Sequence, residues 1–168
     1  MIVSMIAAVA KNRVIGKNNQ LIWNLPKDMK FFMDSTMGKY IITGRKNYES
    51  IPEKYRPLKN RTNIIVTRNH NYLAEGCTVV NSISDGINLA RENGEEECFI
   101  IGGGQIYQQA LEGNMVDKLY ITHVDGEFEG DTFFPEVDYN NWKSTLVMSN
   151  EADQKNPLDF SVIIYEKG

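Results

Sequence analysis

Apolar side chains along this chain come in short, nearly unbroken runs instead of strict alternation. Ile2 to Val9, Tyr40 to Thr43, Asn63 to Thr67, Cys77 to Val80, Cys98 to Ile101 and Lys118 to Val124 are each rich in Val, Ile or Tyr. Such residues favour strands, and runs apolar on both faces suit strands that are covered on both sides. Between them, helical patterns run over Pro26 to Thr36, Arg45 to Ile51, Ser84 to Glu92 and Gln105 to Leu111, each opening near a proline or a capping residue. Trp142 to Met148 and Asp159 to Glu166 flank a polar segment containing Asn156 and Pro157, which predicts a closing antiparallel hairpin. The fold class expected is α/β: a three-layer sandwich with a central mainly parallel sheet, flanking helices and a C-terminal antiparallel hairpin. Ligands in such sheets gather beyond the carboxyl ends of the strands.

Length and composition narrow the picture. The 168 residues fit one domain spanning 1–168, and no repeat or linker divides them. Apolar residues make up 42% and charged residues 24%, ordinary globular usage. A net charge of -4 and a pI near 5.3 argue against a nucleic-acid or anionic-membrane surface and leave a small molecule as the expected partner. The apolar N-terminus lacks a basic leader and is too short to cross a bilayer, so it reads as a buried first strand. Two cysteines, Cys77 and Cys98, stand at no metal-ligand spacing, which fits a reducing, cytoplasmic compartment. His70 and His123 lack acidic partners at ligand spacing, and no Ser or Cys sits in a nucleophile elbow, so neither a metal nor covalent catalysis is expected.

Three places can carry chemistry. Asp28 lies one turn after Leu25 and one before Phe32, on the apolar face of its helix, where a carboxylate needs a donor or a raised pKa. It would suit a cationic or amidine-like ring, although a carboxylate in the first turn also favours the helix dipole for structural reasons alone. In Ile100-Ile101-Gly102-Gly103-Gly104-Gln105-Ile106-Tyr107 a strand runs through three glycines into a helix, a turn that can bring backbone amides to a phosphate or simply reverse the chain. Thr43-Gly44-Arg45-Lys46-Asn47 and Thr67-Arg68-Asn69 occupy further strand ends, and Arg45, Lys46 and Arg68 could converge on a phosphate or remain solvated. Arg61 fits either a substrate carboxylate or a surface ion pair.

These residues, with Ile6-Ala7-Ala8, Asn12-Arg13-Val14-Ile15-Gly16, Trp23-Asn24-Leu25-Pro26-Lys27-Asp28, Leu119-Tyr120-Ile121-Thr122-His123 and Glu129-Gly130-Asp131-Thr132-Phe133-Phe134-Pro135, resemble the bacterial dihydrofolate reductase family from end to end. The resemblance implies hydride transfer from NADPH to dihydrofolate, with antifolate inhibitors as further ligands and a monomeric enzyme. It implies that Asp28, helped by Thr122, binds the pterin and assists protonation. Ile6, Ala8, Phe32, Ile51, Ile101 and Tyr107 would line the substrate pocket, with Arg61 on the substrate's glutamate carboxylate. Ala8, Ile15, Gly16 and Asn19 would border the nicotinamide. Gly103, Gly104, Gln105 and Ile106, with Gly44, Asn47, Thr67, Ile101, Tyr107 and Thr132, would hold the rest of the cofactor, and Arg45, Lys46 and Arg68 the adenosine phosphate. The residues 16–23 would act as a lid carrying Ile22 and Trp23 beside the reacting rings, and a cis peptide is expected at Gly102-Gly103. The alternative is a related NADPH reductase of the same fold, acting on another pterin or a riboflavin precursor. Three positions depart from the family pattern: Ile22 replaces a proline, Thr43 an apolar residue, and Asn47 a Thr or Ser.

Overall fold

The structure is a computed structural model describing residues 1–18 and 20–167. In chain order it contains β1 (Ile2–Ala10), β2 (Val14–Gly16), α1 (Pro26–Thr36), β3 (Tyr40–Gly44), α2 (Arg45–Ser50), β4 (Thr62–Val66), β5 (Thr78–Val80) and α3 (Ile83–Glu92). β6 (Glu97–Gly102), α4 (Gly104–Glu112), β7 (Lys118–Val124), β8 (Thr132–Phe133), β9 (Trp142–Asn150) and β10 (Phe160–Lys167) follow. Eight strands form one sheet in the order β5-β4-β3-β6-β1-β7-β10-β9; every pair from β5 to β7 is parallel, and β10 is antiparallel to both its neighbours. The expected α/β sandwich and closing hairpin are therefore present. Among the described residues, no helix is long and apolar enough to cross a membrane.

Side-chain parity explains the layers. Successive strand residues point to opposite faces. Met5 and Ala7 of β1, Ile42 of β3, Cys98 and Ile100 of β6, and Leu119 and Ile121 of β7 share a core with Ile83, Ile87 and Ala90 of α3 and Ile106 and Ala110 of α4. The intervening residues, Ile6, Ile41, Phe99 and Tyr120, pack on the other face with Phe31 and Phe32 of α1 and with Ile101. Both faces are covered, which is why the strands read as continuous apolar runs. Parity also sets Ala8 and Thr122 on the α1 face, where β1 and β7 pair Ala8 with Thr122.

Two features went unread in the pattern. β2 and β8, of three and two residues, form a separate small sheet that pins the segment after β1 to residues 132–133. Elements this short carry no periodicity to detect. Several boundaries also shifted by one or two residues: α3 begins at Ile83 because Ser82 caps it, its side chain accepting from the Asp85 N–H.

Candidate active site

β3 and β6 lie side by side and both end in glycine, with Thr43 paired to Gly102. At this joined end opens a groove of about 1240 Å³, lined on one side by Ala7, Ala8, Ile15 and Gly16 and on the other by Gly44 to Asn47, Thr67 and Arg68. Its floor is the turn Gly102–Gly104 with Gln105, Ile106 and Tyr107 of α4. Ile101 and Thr132 also line it, so it gathers the residues singled out for the cofactor, apart from Asn19, which lies outside the described residues. Gln20, Ser50, Asn81, Ser82 and Ser84 line it too, as isolated polar residues that no sequence motif marks.

The groove's chemistry suits a dinucleotide. α4 has no side-chain cap at its N-cap Gly103, and the first amides of a helix have no intrahelical acceptor, so they face the groove as anion donors. A Cβ on Gly104 would lie 2.8 Å from Thr132 Cγ2, so this position stays bare and the backbone is open to approach. Gly102 adopts φ 128, a left-handed conformation that favours glycine, and the Gly102-Gly103 peptide is cis as expected. Arg45 donates to Glu49 Oε1 at 3.1 Å, while Lys46 and Arg68 are exposed at the rim. The Tyr107 hydroxyl is committed to the Ile6 carbonyl at 2.7 Å; its ring forms wall.

On the α1 face a second set converges. Thr122 Oγ1 donates to Asp28 Oδ1 at 2.6 Å, joining the first turn of α1 to the middle of the sheet. Burial pushes the Asp28 carboxyl above its ordinary value, and the Thr122 hydroxyl partly opposes it. Ile6, Phe32 and Ile101 meet in one apolar cluster beside it, together with Phe31 and Leu58, which the sequence reading missed. Ile51, half-buried where α2 ends, stands outside this cluster. Arg61 donates to Thr36 Oγ1 at 3.2 Å and to the Lys59 carbonyl at 2.9 Å, and among the described residues no carboxylate pairs with it. Burial lowers its pKa. Asp28 and Thr36 lie eight residues apart on α1, about 12 Å at roughly 1.5 Å per residue. The helix thus sets a carboxylate near one end and a guanidinium near the other, with apolar side chains between.

A family model described as dihydrofolate reductase matches residues 2–167. The chain belongs to the dihydrofolate reductase family. It is 46% identical over 165 residues to the dihydrofolate reductase of Bacillus subtilis, covering 98% of this chain and 94% of that one. It is 41% identical over 156 residues to dihydrofolate reductase type 3 of Salmonella typhimurium, covering 93% and 92%. Among solved structures, dihydrofolate reductase from Enterococcus faecalis complexed with NADP(H) and RAB-propyl superposes with a TM-score of 0.89 at 34% identity, over 99% of this chain and 96% of that one.

As a dihydrofolate reductase, the chain shows what its three departures do. Thr43 and Asn47 are partners: Asn47 Nδ2 donates to Thr43 Oγ1 at 2.9 Å, and Thr43 Oγ1 donates to the Gly102 carbonyl at 3.2 Å. The Thr43 hydroxyl and Asn47 amide thus brace the glycine turn from α2 and β3. Ile22 is half-buried against the cluster containing Trp23 and Leu25, and the Trp23 ring lies 5.4 Å from that of Phe128. The segment leading to them is tied down by the Asn18 N–H, which donates to Asp131 Oδ2 at 2.9 Å, and by Gly16, whose carbonyl accepts the Asp131 N–H. His123 Nε2 meets the Tyr165 hydroxyl at 2.8 Å among aromatic rings and is kept below its usual pKa by burial.

Proposed function

We propose that this chain is an NADPH-dependent reductase that converts dihydrofolate to tetrahydrofolate, with Asp28 as the group that anchors and polarises the pterin. The observation that carries this reading is the half-buried Asp28 carboxyl held by Thr122, which pairs in the sheet with Ala8 of the groove wall. Bound NADPH supplies the hydride. The chain's own residues do the rest. Gly103, Gly104, Gln105 and Ile106 present the amide end of α4 to the pyrophosphate, braced by Asn47. Lys46, Arg45, Thr67 and Arg68 receive the adenosine phosphate and favour NADPH over NADH. Ala8, Ile15, Gly16 and Ile101 border the nicotinamide, and Gly44 and Thr132 complete the groove.

On the substrate side, Asp28 accepts hydrogen bonds from the pterin's amino and ring N–H donors and raises the basicity of the imine nitrogen beside the carbon that takes the hydride. Ile6, Phe32 and Ile101 pack the pterin and aminobenzoyl rings, and Arg61 pairs bidentately with the glutamate α-carboxylate. Ile22 and Trp23 close over the reacting rings and exclude water. The same reading takes residues 1–168 as one domain and the enzyme as a cytoplasmic monomer.

The test is loss of NADPH absorbance in the presence of dihydrofolate. The wild type should oxidise NADPH much faster than NADH. Asp28→Asn should lose at least ~100-fold in hydride transfer at neutral pH while still binding NADPH. Undiminished turnover in Asp28→Asn overturns the assignment.

A further inference from the structure

Helix α1 begins without a cap of its own. Leu25 stands at the N-cap with an apolar side chain, and Pro26 follows with no N–H to satisfy. The first donor of the helix is therefore the Lys27 N–H, and it donates to Asn156 Oδ1 at 3.0 Å, 129 positions further along the chain. Asn156 is 3% exposed and firmly held. Its N–H and Nδ2 donate to Asp153 Oδ1 at 2.7 and 3.1 Å, and its carbonyl accepts the Asp153 N–H at 2.8 Å. The Lys27 ammonium closes the arrangement, donating to Asp153 Oδ2 at 3.2 Å and to Asn150 Oδ1 at 2.9 Å. The Asn156 N–H, first among these donors, holds the Asp153 carboxyl down at about 2.

We propose that Asn156 is a positioning residue for Asp28: the turn between β9 and β10 caps α1 in place of residue 25 and so fixes the Asp28 carboxylate against Thr122. The inference rests on the reading of Asp28 as the pterin anchor. Two constraints then locate one carboxylate, the Thr122 hydroxyl from β7 and the first helical turn held from Asn156. β10 makes them rigid relative to each other, because Val162 pairs with Thr122 while Phe160 pairs with Asn150 at the start of the turn. A cap supplied by an adjacent residue would fix the helix end but not its place against the sheet. This one does both.

Without the Asn156 acceptor, the Lys27 N–H turns to water and the first turn frays. Asp28 then gains hydration, and because burial is the main cause of its raised pKa, its carboxyl falls toward the ordinary value. Thr122 is the side chain that hydrogen-bonds this carboxylate, and the neighbouring Lys27 ammonium is turned away to Asp153 and Asn150.

Stopped-flow hydride transfer across pH tests the proposal, together with KM for dihydrofolate and Kd for NADPH, in Asn156→Ala, in Asn156→Asp combined with Asp153→Asn, and in Asp28→Asn. Asn156→Ala should move the hydride-transfer profile to lower pH and raise KM for dihydrofolate about fivefold, the factor for one lost cap, with NADPH affinity unchanged. Asn156→Asp combined with Asp153→Asn exchanges amide and carboxylate, keeps both an acceptor for the Lys27 N–H and a donor–acceptor pair between 153 and 156, and should restore most of both. A folded Asn156→Ala enzyme with the wild-type profile and KM, or one whose NADPH affinity falls as much as its dihydrofolate KM rises, overturns the proposal. Should Asn156→Ala fail to fold, Asp153→Ala, at a half-exposed carboxylate, removes the acceptor that anchors Asn156 and is read the same way. Full turnover in Asp28→Asn brings down the underlying reading and the proposal together; loss of turnover there beside a wild-type Asn156→Ala brings down the proposal alone.

Discussion

At Asp28 burial and the Thr122 hydroxyl act on one carboxyl in opposite directions, and burial is the larger influence. Its folded pKa lies above the ordinary 3.8, so the folded protein keeps the proton where the unfolded chain has released it. The stability this contributes is present in full below the ordinary value and is lost as pH rises through the raised one. Above that window the ionised carboxylate is a liability to the ligand-free fold, one that Asp28→Asn lacks. Thermal unfolding of the ligand-free proteins at a series of pH values should show the stability difference growing in favour of Asp28→Asn as pH rises through the window. A difference independent of pH would mean that burial does not act on this group. The sequence marked Asp28 as a charge on an apolar face, and that much was legible. Its partner Thr122 lies 94 residues away, and the packing of α1 on β7, where the Phe31 and Tyr120 rings lie 6.3 Å apart, brings it near.

At the scale of elements, the glycine turn and α4 show how a strand end becomes a binding edge. The three glycines announced a tight strand-to-helix junction, but the reason for Gly104 lies in β8, a two-residue strand too short to show a strand pattern. Its Thr132 occupies the space that a Cβ would need. Gly104→Ala should therefore push α4 away from β8 and weaken NADPH binding by about one order of magnitude or more, as overpacking typically costs 1–3 kcal/mol. Adding Thr132→Ser, which removes Cγ2 and keeps the hydroxyl that bonds Asp131, should recover much of that affinity in a fluorescence titration. No recovery would place the fault in the Phe133 carbonyl, 3.4 Å from the same Cβ, and not in Thr132. α1 is the opposite case: its length was plain from the pattern, and that length sets Asp28 about 12 Å from Thr36, the residue that receives Arg61. That Arg61 reaches α1 through Thr36 was not legible, because Thr36 reads as an ordinary helix-terminal residue.

Across the whole molecule, the two sheet edges are poor surfaces for pairing with a second copy. β5 is three residues long, and β9 carries Lys143, Ser144 and Thr145 and is bulged at Val147, which the register skips between Val162 and Ile163. Light scattering on eluted protein should accordingly give the mass of one chain, 19.2 kDa, with or without NADPH; a mass of two chains would overturn the monomer reading. The sequence by itself determined the order of the main strands and helices, the burial of both sheet faces, the closing hairpin and the family to which the chain belongs. Each of these depends on local spacing and on the family motifs, which are written along the chain. Only the tertiary structure decided which helix covers which face, that Thr43 and Asn47 brace one turn, and that Asn156 caps a helix 129 positions before it. Those are contacts between residues far apart in sequence. They exist because strand pairing and parity bring such residues together, and no local pattern encodes that meeting.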